Sequence, residues 1–347
     1  MNTRTSSDDP IAVYGATGHT GRLVAAALAA RGHSLVLGGR DTTALTTLAD
    51  QLPTSAQVVT APLENPQKLR QLTGAAQVLI NCAGPFSHTG APVAAAAVAQ
   101  GCHYLGHAAE PLHIKQMYDT FAGADVVVIP GMSFYGGIAD LLAAAVTNGM
   151  TAIDEVEVAY AVTGWRMTAA SKAAAAELIQ ADTLTYQDGQ LHIAPAQQRT
   201  GTFTYPLPLG HQPVIQDYPG GEVVTIPRHV PTRSVRVAMT SSTFAEEAVF
   251  TSEDVSPAER AQSAFTVAVR AQSPAQTRTA WLQGRDIYTT GAIASVEAAA
   301  RLTQGQHPPV TGALSPAQVF APADILTALP AVELHGVRGI EATSSAP

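Results

Sequence analysis

The stretch Ile11-Ala-Val-Tyr-Gly15-Ala-Thr-Gly18-His-Thr-Gly21-Arg22 decides the fold. Four apolar residues run straight into Gly-x-x-Gly-x-x-Gly. From Thr20 to Ala30 the apolar positions Leu23, Val24, Ala27 and Leu28 then fall on one helical face. A buried strand, a glycine-rich turn and a helix in that order form a cradle for phosphate. Gly15 permits the tight turn, Gly18 lets backbone approach a pyrophosphate, and Gly21 lets the helix lie close on the sheet. The free N–H groups at the helix start face the anion with their partial positive charge. Thr17, His19, Thr20 and Arg22 stand where they can touch phosphate.

The same alternation continues outward. A second strand over Ser34–Leu37 leads through LVLGGR to Arg40, and Asp41 is placed to cap a helix reaching about Leu52. Enzymes that use NAD carry Asp or Glu at the end of this strand to hold the ribose hydroxyls; an Arg suits a 2′-phosphate, so NADP(H) is the expected cofactor. Further strands are expected at 57–60, 77–81, 103–105 and 125–129. Helices open at Asn65-Pro66 and cover 91–100 and 112–121. Strands apolar on both faces that alternate with helices form a parallel sheet covered on both sides. Residues 1–135 are therefore read as a Rossmann-type, doubly wound α/β domain.

After Gly149 the texture changes. IDEVEVAYAVT (153–163) alternates charged and apolar residues, as a half-exposed antiparallel strand would. A helix over 168–181, a Pro/Gly-rich stretch at 205–221, a strand pair EVVTI and SVRVAM, a helix over 257–271 and a strand over 277–288 follow. Together they suggest an α+β, mixed-sheet substrate domain over 150–288. Residues 289–347, a helix at 292–302 and the tail after it, are expected to return to the first domain.

Composition narrows the function. With 347 residues, 46% hydrophobic and 13% charged, the chain can bury a large core without staples. A formal net charge of −8 leaves no electrostatic footprint for nucleic acid. Cys82 and Cys102 cannot build a disulfide framework, and no apolar run is long enough to span a membrane. With a polar start at residues 1–9, these features make a cytoplasmic protein the expectation. Lys68, Lys115 and Lys172 are the only lysines, and none lies four residues after a Tyr. The Tyr-x-x-x-Lys proton-transfer pair is thereby excluded. His103 and His107 straddle a strand end without a third ligand, so no metal is expected.

Four stretches carry a resemblance: GATGHTGR (15–22), INCAGPFSHTGAPV (80–93), HYLGHAAEP (103–111) and PGMSFYGGIADLLA (130–143). With EVVTIPRHV (222–230) and GRDIYTTGA (284–292), the chain resembles the saccharopine dehydrogenase-like oxidoreductases over most of its length. That resemblance implies that Asn81, Cys82, Ala83, Gly84, Pro85 and Phe86 line the cofactor near its nicotinamide. It also implies reactions on C–N bonds, or reduction of C=C bonds as in the trans-acting enoyl reductases. The family's Tyr-x-Asp-x-x-Gly-Glu is Tyr104-Leu-Gly106-His-Ala-Ala109-Glu110 here, and its Gly-Phe-Asp-x-x-Pro-x-Asp is Ser133-Phe134-Tyr135-Gly-Gly-Ile138-Ala-Asp140. Two customary carboxylates are thus replaced.

The expected reading is an NADPH-dependent reductase that passes hydride to a C=C or C=N bond of a small or carrier-tethered metabolite. Glu110, His88 and Tyr135 are the candidate proton-handling residues. Trp165, Arg166, Arg228 and His229 are the candidate substrate contacts, with the two arginines as anchors for a carboxylate or carrier phosphate. A ketone reductase and a non-catalytic NADP(H) sensor or assembly protein are the alternatives, and a homodimer is the assembly left open.

Overall fold

The computed structural model describes residues 10–180, 182–195, 199–250, 255–330 and 332–337. The ends of the domains expected over 1–135 and 289–347 fall partly outside these residues. Its first part alternates as the apolar pattern requires: β1 (Ile11–Tyr14), α1 (His19–Ala30), β2 (Leu35–Gly39), α2 (Thr42–Gln51), β3 (Ala56–Thr60), α3 (Pro66–Gly74) and β4 (Val78–Asn81). It continues with α4 (Phe86–Val98), β5 (His103–Gly106), α5 (Pro111–Phe121) and β6 (Val127–Ile129). Asp41 accepts the Ala44 N–H at 3.0 Å and Asn65 accepts that of Lys68 at 3.1 Å, so both expected caps form. Helix α4 starts five residues earlier than its Ala-rich pattern suggests.

The second part begins with α6 (Ala139–Thr147) and β7 (Ile153–Thr163), then α7 (Ala169–Gln180) and the hairpin β8 (Thr183–Gln187)–β9 (Gln190–Ala194). Next come β10 (Arg199–Thr204), β11 (His211–Gln216), the helical turn α8 (Glu222–Thr225) and β12 (Thr232–Thr240). A short turn α9 (Pro257–Arg260) precedes β13 (Ala264–Gln272) and β14 (Thr277–Arg285). Helix α10 (Ile287–Thr303), β15 (Gly312–Ala313), the turns α11 (Pro316–Val319) and α12 (Pro322–Leu326), and β16 (Val332–His335) close the chain.

Two sheets organise these elements. The first is parallel, in the order β15-β6-β5-β4-β1-β2-β3, and its direction of winding reverses between β1 and β4. The second is mixed, in the order β10-β11-β12-β7-β13-β14-β16, with β8 and β9 branching from β12. The tail serves both: β15 extends the first sheet and β16 pairs with β14 in the second. Helix α10 packs along α1, while α6 packs on β13 and β14. The chain leaves the first unit through Phe134–Ile138 and returns at Asp286. There Gly291 lies so close that a Cβ would stand 2.8 Å from the Phe134 nitrogen.

Three expectations are corrected. Strand β7 is central and almost wholly buried, parallel to β12 and antiparallel to β13, because its Glu157 is covered and paired with Arg270. EVVTI is a helical turn rather than a strand; its β-branched residues are buried there by tertiary packing, which overrides their strand preference. The helix expected over 257–271 lasts only through Arg260. Its Ser256–Glu259 capping box is real, but from Ala264 the buried run is the strand β13.

Candidate active site

In an open parallel sheet, ligands settle beyond the carboxyl ends of the strands, where the winding reverses. The turn after β1 and the turn after β4 meet at that place. Gly15 has φ +75°, and a Cβ on it would stand 2.8 Å from the Ala83 nitrogen. Gly21 cannot accept a side chain either: its Cβ would be 2.2 Å from the Gly15 carbonyl oxygen. Gly18 differs. It is exposed, its backbone is ordinary (φ −71°, ψ 170°), and a Cβ would meet only the Gly15 oxygen, at 3.3 Å. The protein itself does not require glycine there, so the open space over the start of α1 is a cradle that a larger side chain would fill.

Other groups fit a dinucleotide at the same place. The Nε2 of His19 is buried without a hydrogen-bond partner, and its ring meets Tyr288 edge-on at 4.8 Å. Burial and the nearby Arg260 push its pKa down. Arg40, exposed at the end of β2, makes no hydrogen bond or ion pair among the described residues, which suits a 2′-phosphate. Thr17 gives its carbonyl to the Arg22 Nε at 2.9 Å, so Arg22 braces the turn.

The turn at 82–86 is shaped from beneath. Asn81 is fully buried, donating to the Tyr104 hydroxyl at 3.1 Å and accepting the Ala83 N–H at 3.0 Å, so its amide holds the turn and does not face outward. Thr89 adds a hydrogen bond to the Ala83 carbonyl. A cleft opens past this turn, lined by Thr20, Cys82, Gly84 and Phe86 on one side. The ends of β5 and β6 contribute His107, Ala109, Glu110, Ser133, Phe134 and Tyr135. Opposite stand Trp165, Tyr218, Tyr288 and one face of α7. Ala83 and Pro85 belong to the same turn without lining the cleft.

Of the three proton-handling candidates, two line this cleft. Glu110 accepts the Ala109 N–H at 2.9 Å, and burial raises its pKa. The Tyr135 hydroxyl is buried with no partner; burial and then the neighbouring Tyr218, Tyr288 and Glu222 keep it protonated. His88 is exposed on the first turn of α4, outside the cleft. Burial pushes the pKa of the Cys82 thiol up, which favours its protonated form.

Of the substrate candidates, only Trp165 reaches the cleft, with Nε1 donating to the Tyr288 hydroxyl at 3.2 Å. Arg166 turns away to Glu246, at 3.5 Å. Arg228 lies over the Tyr118 ring at 4.1 Å and donates to Gln318 and to the Ala313 carbonyl. His229 bonds Asp140 at 2.8 Å. Of the two expected carboxylate anchors, Arg228 is therefore a brace between the second unit and the tail, and Arg166 is paired within the second unit.

Sequence reasoning missed Tyr218, Tyr288 and Glu222. Glu222 is fully buried; its Oε1 accepts the Gly136 N–H at 2.8 Å and the Tyr160 hydroxyl, while Oε2 has no partner. Gly136 holds φ +82°, ψ −65°, a conformation suited to glycine, so this carboxyl fixes the backbone that presents Tyr135. Burial raises the Glu222 pKa. Among the described residues no group of three His, Cys, Asp or Glu side chains could hold a metal, and no helix is long and apolar enough to cross a membrane.

Comparison with known proteins agrees with this geometry. Residues 11–180 match the saccharopine dehydrogenase NADP binding domain. A Mycobacterium tuberculosis protein named as a trans-acting enoyl reductase is 33% identical over 124 residues, which is 34% of this chain and 30% of that protein. An Arabidopsis thaliana protein named as a mitochondrial saccharopine dehydrogenase-like oxidoreductase is 36% identical over 90 residues, 24% of this chain and 20% of that one. The similarity thus spans less than a third of either relative's length. Over the whole fold, the chain superposes on saccharopine dehydrogenase (L-Glu forming) from Saccharomyces cerevisiae with a TM-score of 0.60 at 11% identity, covering 92% of this chain and 95% of that one. Residues 11–180 thus match a saccharopine dehydrogenase-type NADP-binding domain, which makes NADP(H) the cofactor of this part, and the chain as a whole shares the fold of saccharopine dehydrogenase.

Proposed function

We propose that the protein is an NADPH-dependent reductase that acts on the C=C or C=N bond of a small or carrier-tethered metabolite. The observation that carries this reading is the unpartnered, buried hydroxyl of Tyr135, a residue that lines the cleft opening directly past the 82–86 turn. Residues 15–21 would hold the pyrophosphate, Arg40 the 2′-phosphate, and Cys82, Gly84 and Phe86 the end nearest the cleft. NADPH, when bound, supplies a hydride to the electron-poor carbon of the substrate.

The chain's own part is to place the substrate and to supply the proton. As the double bond takes up hydride, its other atom gains electron density, and the Tyr135 O–H donates its proton there. A phenol with a raised pKa is a weak acid, but it is reliably protonated and buried, where hydrogen-bond donation to a developing charge is strong. Glu222 keeps Tyr135 aimed through Gly136. Glu110, which lines the same cleft, returns a proton to the phenolate. Phe134, Trp165 and α7 keep water away from the reacting carbon.

The test is NADPH oxidation against a panel of enoyl and cyclic imine compounds, using NADPH deuterated at the nicotinamide. Deuterium should appear in the reduced product. Tyr135→Phe should lower kcat by about a hundredfold or more while NADPH affinity holds. Absence of oxidation across the panel, with NADPH bound, would overturn the reductase reading. An unchanged kcat in Tyr135→Phe would overturn the role of that residue.

A further inference from the structure

We infer that the cleft takes an uncharged substrate with an apolar body lying along α7, and that it rejects carboxylates. The inference rests on the reductase reading only in using the same cleft. Helix α7 presents Ala170, Ser171, Ala174, Ala175 and Leu178 to the cleft, at spacings that put them on one helical face, and the Ser171 hydroxyl is already paired with those of Thr168 and Tyr288. The helix is held over the 82–86 turn: Ser87 donates to Glu177 at 2.9 Å, and a Cβ on Gly84 would stand 3.6 Å from that of Ala170. Small aliphatic side chains on this wall leave room for a body rather than filling it.

The rings of Phe134, Tyr135 and Trp165 also line the cleft, with Tyr135 and Trp165 centred 5.9 Å apart. Aromatic and aliphatic walls together favour a flat apolar group. Glu110, Ser133 and Tyr135 bring polar groups to the side built by the ends of β5 and β6, while Thr168 and Ser171 are taken up in hydrogen bonds with each other and with Tyr288. No arginine or lysine is among the lining residues. Arg166 is paired with Glu246, Arg228 is braced against the tail, and Lys172 points outward from α7. His107 hydrogen-bonds Ser295 at 2.8 Å from within the protein. A substrate carboxylate would therefore be desolvated beside Glu110 with no cation to receive it, which is costly. An aldehyde, ester or neutral imine keeps an acceptor for the Tyr135 hydroxyl and brings no charge.

Binding, not turnover, tests this. Methyl cinnamate, cinnamate and cinnamylamine share one skeleton and differ in charge at neutral pH. Each would be titrated by calorimetry into the protein saturated with NADP+. Methyl cinnamate should bind at least tenfold more tightly than either charged analogue. Ala174→Lys places a cation on the wall and should turn the preference toward cinnamate, whereas Ala174→Leu should weaken all three without changing their order. Equal or tighter binding of cinnamate or cinnamylamine to the unaltered protein, or no binding of methyl cinnamate, overturns the inference. Tight methyl cinnamate binding with no NADPH oxidation by any compound keeps the inference and overturns the reductase reading instead.

Discussion

Gly18 and Gly21 lie in one turn, yet the structure assigns them different demands, and substituting each separates binding from folding. At Gly18 the backbone is in a region open to every residue, and an added Cβ meets one oxygen at 3.3 Å. Relief needs a shift of a few tenths of an ångström. Gly18 also offers no side-chain cap to α1, so none is lost. Gly18→Val should cost the fold about 1 kcal/mol or less, within the range of exposed substitutions, and lower Tm by only a few degrees. The same side chain fills the space over the amides of His19, Thr20 and Gly21. If it displaces two charge-assisted hydrogen bonds to a pyrophosphate, each worth about 1.5–3 kcal/mol, affinity falls by roughly two to four orders of magnitude. Gly21→Ala should do the reverse in kind: with a contact of 2.2 Å to backbone, it should damage folding first. NADPH fluorescence titration and thermal melts with and without NADPH measure both quantities. A Gly18→Val protein that binds NADPH within threefold of the parent, or that melts as early as Gly21→Ala, would refute the reasoning.

Arg40→Ala should weaken NADPH by about ten- to a hundredfold and leave NADH nearly unchanged, since only the 2′-phosphate loses its partner; equal losses for the two cofactors in parallel titrations would contradict this. His113 is buried, its pKa pushed down to about 4 by burial from an ordinary 6.5. The unfolded chain therefore takes up this proton first, so the stability His113 contributes is complete above pH 6.5 and is lost as pH falls toward 4, by about 3 kcal/mol. Urea melts at pH 7 and pH 4.5 should show a steep loss that His113→Leu flattens; parallel losses in both proteins would count against it.

The dinucleotide half was legible because its signals are local. β1, the glycine turn and α1 fall within twenty residues, and the caps at Asp41 and Asn65 act over three. The second half was harder to read for a physical reason. Val223, Val224 and Thr225 carry strand-like side chains, but they are packed into a helical turn by contacts from elsewhere in the chain. The Ser256 capping box announces a helix that the following buried strand cuts off after four residues. The site divides in the same way. Gly18, Arg40, Phe86, Glu110 and Tyr135 follow strand ends and could be found by position. Arg228 meets Gln318 and Ala313 at separations of 90 and 85 residues, so nothing near it in sequence distinguishes a brace from an anchor. Tyr218 closes a Pro/Gly-rich stretch, and only the folded chain brings it to the cleft.

The two crossings between the sheets have a mechanical meaning. The outward crossing carries Phe134 and Tyr135, the return carries Ile287 and Tyr288, and all four line the cleft. Gly291 presses the return helix onto Phe134 itself. Both of these connections between the two units therefore run through the cleft wall, not beside it. Helix α7 is tied to the return crossing at its start, where the Tyr288 hydroxyl accepts the Thr168 N–H at 3.1 Å, and to the first unit through Ser87 and Glu177. A substitution in either crossing therefore alters the wall of the cleft and the join between the two units at once.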